Sequence, residues 1–221
     1  MTALLSFQGV KTPLRGNVVG GPWTLSLPPG TAAAVRAAPS VSAAIANLCI
    51  GAEAPMEGEV LILGSSPASL PRLERNRLLR RIGIAFQREG LVSNLSLEEN
   101  LTVPMVFGGH FPPREARARA SEAIDELGIG AFRGIRPGTL PREVRIYAAI
   151  ARAALRDPEL LILEHLSSGL PDRLIKRALS WCLERCKSML VLVPGPREVL
   201  NDLAFDWFPP LSNKGGEESA G

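Results

Sequence analysis

Four consecutive apolar residues, Leu160-Leu161-Ile162-Leu163, stand between Glu159 and Glu164 with no polar residue to alternate with them. A strand with one face in water alternates apolar and polar side chains. A run of this kind hides both faces, as a central strand does in a parallel sheet covered by helices on each side. Residues 82–86 (IGIAF) and 188–193 (SMLVLV) have the same character, and 58–64 (GEVLILG) is a short apolar strand between glycines. Helical patterns fall between these runs, at 41–50, 70–81, 141–155 and 172–186. Alternating buried strands and helices predict an α/β fold with a mostly parallel sheet and flanking helices.

The ends and the middle read differently. Residues 4–10 (LLSFQGV) and 23–27 (WTLSL) alternate enough for edge strands, and Pro28-Pro29-Gly30 makes a turn. Residues 31–35 lead into a loop around Pro39, and Gly51 suits the C-terminal cap of the helix at 41–50. From 91 to 155 there is no clear strand. Ser96 and Glu99 have capping-box spacing at the start of a helix over 96–107, and 112–127 is an amphipathic helix with Gly128 after its end. This stretch is expected to be a helical insertion in a single domain covering 1–211, with 212–221 (SNKGGEESAG) a polar, disordered tail.

Composition narrows the function. Hydrophobic residues are 46% of the 221, enough to build a core, and the net charge of +3 is too small a surplus to point to nucleic acid. No stretch reaches the roughly 18–20 apolar residues of a membrane span, and the first residues lack a basic start followed by a long apolar run. A cytoplasmic protein is expected, with any membrane contact peripheral. Cys182 and Cys186, four apart, are either half a metal site or two buried thiols. The arginines at 72, 75, 77, 80 and 81 form either a solvated helix face or a binding patch.

Two segments carry a family resemblance. RRIGIAFQREGLVSNLSLEENLTVPM (80–105) resembles the Q-loop region of ABC transporter ATPases: a strand ending in Phe-Gln, a short loop, then a helix with Glu-Asn. IARAALRDPELLILEHLSSGLP (150–171) resembles the same family's run from the signature helix through the Walker B strand into the D-loop. The order of elements agrees over about residues 4–208. ENLTVPM and GGHFPPREA are similar to the branch that serves lipid and lipoprotein export. The resemblance implies a P-loop NTPase-like fold with an N-terminal antiparallel β part, a helical subdomain, a transmembrane permease as partner, and ATP with Mg²⁺ as cofactor.

The residues the family uses for that cofactor are largely replaced. Counting back from Gly51, its phosphate loop G-x-x-G-x-G-K-[ST] falls on RAAPSVSA, with Arg36, Pro39 and Val41 for the glycines, Ser42 for the lysine and Ala43 for the Mg²⁺ hydroxyl. Such a loop works by bringing backbone N–H groups and a lysine to the phosphates. Pro39 has no N–H to give, and β-branched Val41 resists the positive φ a glycine adopts. Arg36, Ser40 and Ser42 remain as nucleotide-contact candidates, Arg36 either as a substitute cation or as a solvated loop side chain. At the catalytic acids stand Glu164 and His165. Imidazole can serve as a base near neutral pH, or His165 is an incidental replacement. The signature L-S-G-G-Q is Leu140-Pro141-Arg142-Glu143-Val144, the D-loop aspartate is Pro171, the switch histidine falls near Pro194, and residues 11–22 hold no aromatic to stack on adenine.

These losses imply a non-catalytic subunit, with no cofactor, docking on a permease or modulating an intact ABC ATPase. Two alternatives stay open: a weak ATPase using Arg36, Glu164 and His165, and a decaying paralogue. Gln87 keeps its family position beside the transporter's coupling helix, and is either a contact residue or a buried loop glutamine. Leu91, Val92 and Leu95 follow it, and either form an exposed partner patch with Gln87 or pack inward against 101–107.

Overall fold

The structure, a computed structural model, describes residues 3–14, 18–109, 111–164, 170–195 and 197–211. The predicted tail at 212–221 lies outside the described residues. Two sheets organise the chain. Strands β1 (Leu5–Leu14), β2 (Val18–Leu27), β3 (Ala32–Ala37) and β4 (Glu57–Ile62) come first, with helix α1 (Pro39–Ile50) between the last two. Helix α2 (Arg72–Arg80) leads into β5 (Ile82–Ala85). Helices α3 (Leu97–Phe107), α4 (Pro113–Glu126) and α5 (Arg142–Ala154) follow, joined by short 3₁₀ turns. The chain ends with β6 (Leu160–Glu164), α6 (Asp172–Leu183), β7 (Met189–Val193), α7 (Glu198–Asp202) and β8 (Asp206–Leu211).

The larger sheet has the order β5-β6-β7-β3-β8, and its described pairings are all parallel. The smaller is antiparallel, in the order β2-β1-β4. The expected parallel pairing of IGIAF with ELLILE is present, with Ile82 opposite Leu160 and Ala85 opposite Leu163. Period-two alternation explains the all-apolar runs. Leu161 and Leu163 pack into the core under α3 to α7, whereas Leu160 and Ile162 pack into the core shared with α1 and the antiparallel sheet. Every residue of β6 and β7 is buried. Helix α5 lies close on the sheet: a Cβ at Gly83 of β5 would sit 2.4 Å from the Ala153 carbonyl oxygen, so the contact needs glycine.

The middle of the chain is helical as expected. The capping box at α3 is complete: Ser96 Oγ accepts from the Glu99 amide, and a Glu99 carboxylate oxygen accepts from the Ser96 amide. Gly51 caps α1 with φ +67°. Several elements differ from the sequence expectation. Residues 31–35 do not lead into a loop around Pro39. Residues 32–35 belong to β3, and Pro39 is the first residue of α1, where its missing N–H costs nothing because the first helical amides have no partner in the helix. Strand β8 (DWFPPL) was not foreseen. Its two prolines cannot donate to a ladder, and it is accordingly the edge strand beside β3.

Candidate functional site

An open groove of about 710 Å³ lies between the start of α1 and the end of β5. Pro39, Ser40, Ala43, Asn47 and Ile50 come from α1. Phe86, Gln87, Arg88 and Gly90 come from the loop after β5, and Glu164 from the end of β6. Their convergence follows from topology. In a parallel sheet with helices on its faces, the C-terminal strand ends and the helix starts meet along one edge, where ligands bind in open α/β sheets.

Glu164 is the one charged side chain in the buried class among the described residues, 4% exposed. Its Oε2 accepts the Gln87 amide at 3.2 Å. Burial pushes its pKa up, and the bond from Gln87 opposes this in part. The Gln87 side chain is exposed, so the buried-glutamine alternative does not hold.

The strand-to-helix passage that faces this groove is very short. β3 ends at Ala37 and α1 begins at Pro39, so Ala38 alone joins them. A backbone that turns directly from strand to helix has no glycine-rich arc of amides to wrap a phosphate. The phosphate-contact candidates are scattered accordingly. Ser40 lines the groove. Ser42 does not: it is fully buried in α1, its hydroxyl at 3.5 Å from the Ala37 carbonyl oxygen. Arg36 is neither a loop residue nor a groove residue. It sits exposed on β3 and lines a different, smaller groove with Asn201, Trp207, Phe208 and Pro210. His165 and residues 166–169 lie outside the described residues.

At the signature position, α5 begins at Arg142 with Pro141 as its cap, and Glu143 is exposed in the first turn. The Leu140 carbonyl is taken by Arg145 Nη1 at 2.8 Å. Cys182 and Cys186 are buried free thiols, both with pKa values raised by burial, that of Cys186 to about 11, and no cluster of metal-binding side chains occurs among the described residues. The arginine cluster is divided: Arg81 is paired bidentately with Glu159 at 2.6 and 3.0 Å, and Arg75 donates to the Gly51 carbonyl at the end of α1.

The loop 87–95 is held at several points that the sequence did not single out. Asn100 on α3, 1% exposed, accepts from the Val92 amide at 2.7 Å and donates to the carbonyls of Val92, Leu95 and Ser96. Arg152 on α5 donates to the carbonyls of Glu89 and Gly90 at 2.7 and 2.6 Å. Glu89, at φ +44°, holds a conformation that L-residues rarely adopt, and it faces Arg145 at 3.8 Å. One signal was available: Asn100 lies four residues after the cap Ser96, on the inner side of the helix. The expected partner patch is only partly exposed. Val92 is 48% exposed, whereas Leu91 is half-buried and packs on the helical core, and Leu95 is also half-buried.

A family model described as "ABC transporter" matches residues 43–165. The methionine import ATP-binding protein MetN of Caulobacter vibrioides is 31% identical over 124 residues, covering 56% of this chain and 37% of its own. The lipoprotein-releasing system ATP-binding protein LolD of Pseudomonas syringae pv. tomato is 31% identical over 158 residues, covering 67% of this chain and 69% of its own. The first relatives are matched over less than two thirds of their length. Among solved structures, the dimeric bacterial ABC transporter cassette MJ0796 superposes with a TM-score of 0.77 at 22% identity, over 93% of this chain and 94% of that one, which establishes the fold.

Proposed function

The chain belongs to the ABC transporter family of ATP-binding subunits, and we propose that within it this protein is a non-catalytic component that docks on a membrane permease or modulates an active ATPase. The observation that carries the proposal is the single residue, Ala38, between β3 and α1. Phosphate binding at a helix start depends on a run of free backbone amides and a nearby cation. Here the first helical residue is Pro39, and Ser42 stands buried where the family has its lysine. The residues present do not fit a nucleoside triphosphate.

Relatives that release lipoproteins or import methionine are named as ATP-binding proteins of those systems, which supports a permease as partner. No helix among the described residues is long and apolar enough to cross a membrane, so contact with a bilayer would come through that partner. A weak ATPase is the second reading, favoured by Glu164 and Gln87 still facing one groove.

Titration calorimetry with ATP and Mg²⁺ separates the two. Charge-assisted phosphate contacts contribute roughly 1.5–3 kcal/mol each. Loss of several lowers affinity by several orders of magnitude, at about 1.4 kcal/mol per tenfold. No binding is expected at millimolar nucleotide. Micromolar, Mg²⁺-dependent binding overturns the proposal in favour of the weak ATPase.

A further inference from the structure

We propose that the groove floored by Glu164 binds a guanidinium group, carried either by a small free guanidine or by an arginine of a polypeptide. Among the described residues Glu164 is a buried carboxylate with no ion pair and one hydrogen bond, from the Gln87 amide at 3.2 Å. A buried carboxylate without a cation is costly, and a cation entering the groove would offset that cost.

The other walls supply what a guanidinium needs. Its five N–H donors call for several acceptors, and its flat faces stack on aromatic rings. Asn47 donates one amide hydrogen to Glu53 at 2.9 Å, and its side-chain carbonyl oxygen takes no hydrogen bond among the described residues. Ser40, Gln87 and Phe86 line the same groove, so a hydroxyl, an amide and an aromatic ring are available at its walls. Arg88 is the one basic residue in the lining. It is exposed and makes no ion pair with Glu164. A groove of about 710 Å³ is within the size range of sites for small organic ligands.

The test uses the full chain and three probes in titration calorimetry: agmatine, the peptide acetyl-Gly-Arg-Gly-amide, and the same peptide with neutral citrulline for arginine. Saturable binding of agmatine, of the arginine peptide or of both is expected, with the citrulline peptide weaker by about tenfold or more. Agmatine as tight as the peptide assigns a free guanidine. A tighter peptide assigns a polypeptide arginine. Glu164→Gln keeps the shape of the side chain and its acceptor for Gln87, and should weaken binding by about tenfold or more. Ala43→Phe fills the groove from α1 without touching the carboxylate, and should do the same even where Glu164→Gln perturbs folding. The proposal is overturned by equal binding of the citrulline peptide, by binding that both variants leave unchanged, or by the absence of saturable binding at millimolar probe. Glu164-dependent binding of Mn²⁺ with none of agmatine also overturns it, and makes the groove a metal site.

Discussion

Asn100 shows how much of a loop one side chain can hold. Buried at 1% exposure, it satisfies the Val92 amide and three carbonyls, groups that water cannot reach easily once the loop is folded against α3. Removing it leaves several polar groups without partners, and each such group costs roughly 1–3 kcal/mol. Asn100→Ala should therefore destabilise the protein by about 2–4 kcal/mol in urea unfolding. Asn100→Asp keeps the acceptor and loses the donors, so it should fall between. A loss under about 0.5 kcal/mol, the scale of an ordinary surface change, would mean the loop is not held there. Glu164 gives the opposite sign. Its folded-state pKa is raised, so the native state holds a proton more tightly than the unfolded chain does. Stability from this group falls as pH rises from the ordinary carboxylate range up to its folded value, and stays lower above it. Glu164→Gln should flatten that part of the pH profile and be at least as stable as the parent at neutral pH. A variant less stable at neutral pH, with the pH slope unchanged, would show that the carboxylate is compensated in the fold.

At the scale of elements, legibility followed burial. β6 and β7 could be read because each is apolar on both faces, and a strand in that position has few alternatives. The capping box of α3 and the Gly51 cap were equally legible, since each rests on one local hydrogen-bond pattern. β3 was obscured by its alanines and by Arg36, which projects outward from a strand whose other side chains are covered. β8 was hidden by Pro209 and Pro210, which lower strand propensity everywhere except at an edge. The site divided in the same way. Glu164 and Gln87 were found because a strand end fixes them. Arg36 was misplaced because a count along the chain assumes a loop, and the chain forms a strand there instead, whereas Ser42 lies in the expected helix but faces inward. The clamp of α5 on the loop 87–95 was invisible, since Arg152 meets Glu89 and Gly90 only in three dimensions. Charged hydrogen bonds of this kind contribute roughly 1.5–3 kcal/mol each when buried and less when partly wet. Arg152→Ala should cost about 2 kcal/mol overall and speed amide exchange at 87–95 selectively. Arg152→Lys, with a point charge in place of a fork, should restore only part of the protection. Uniform acceleration across the sheet would instead mean that α5 itself had loosened.

For the whole molecule, what matters is which surfaces remain fit for a partner. In the family, each nucleotide lies between the phosphate loop of one subunit and the signature of the other. Both halves are altered here: Ala38 alone spans the first, and Pro141-Arg142-Glu143 occupies the second. Pairing with an intact ATPase would weaken both sites, which favours docking over service as the silent half of an active pair. We propose the loop 87–95 as the docking surface. It is tethered by Asn100 and Arg152, so little order is lost on binding, and Val92 stands 48% exposed at its crest. Leu91 is a poor probe of this surface, because it packs on the helical core and its change to Asp would disturb folding. Val92→Asp is the cleaner one. It places a charge on an exposed position, should leave the circular dichroism spectrum and melting temperature nearly unchanged, and should abolish pull-down with the proposed permease partner. His165→Ala, next to Glu164 in the sequence, should leave that association intact. Full association by Val92→Asp would remove the loop from the interface. Loss of association by His165→Ala, with the fold preserved, would move the interface to the groove around Glu164.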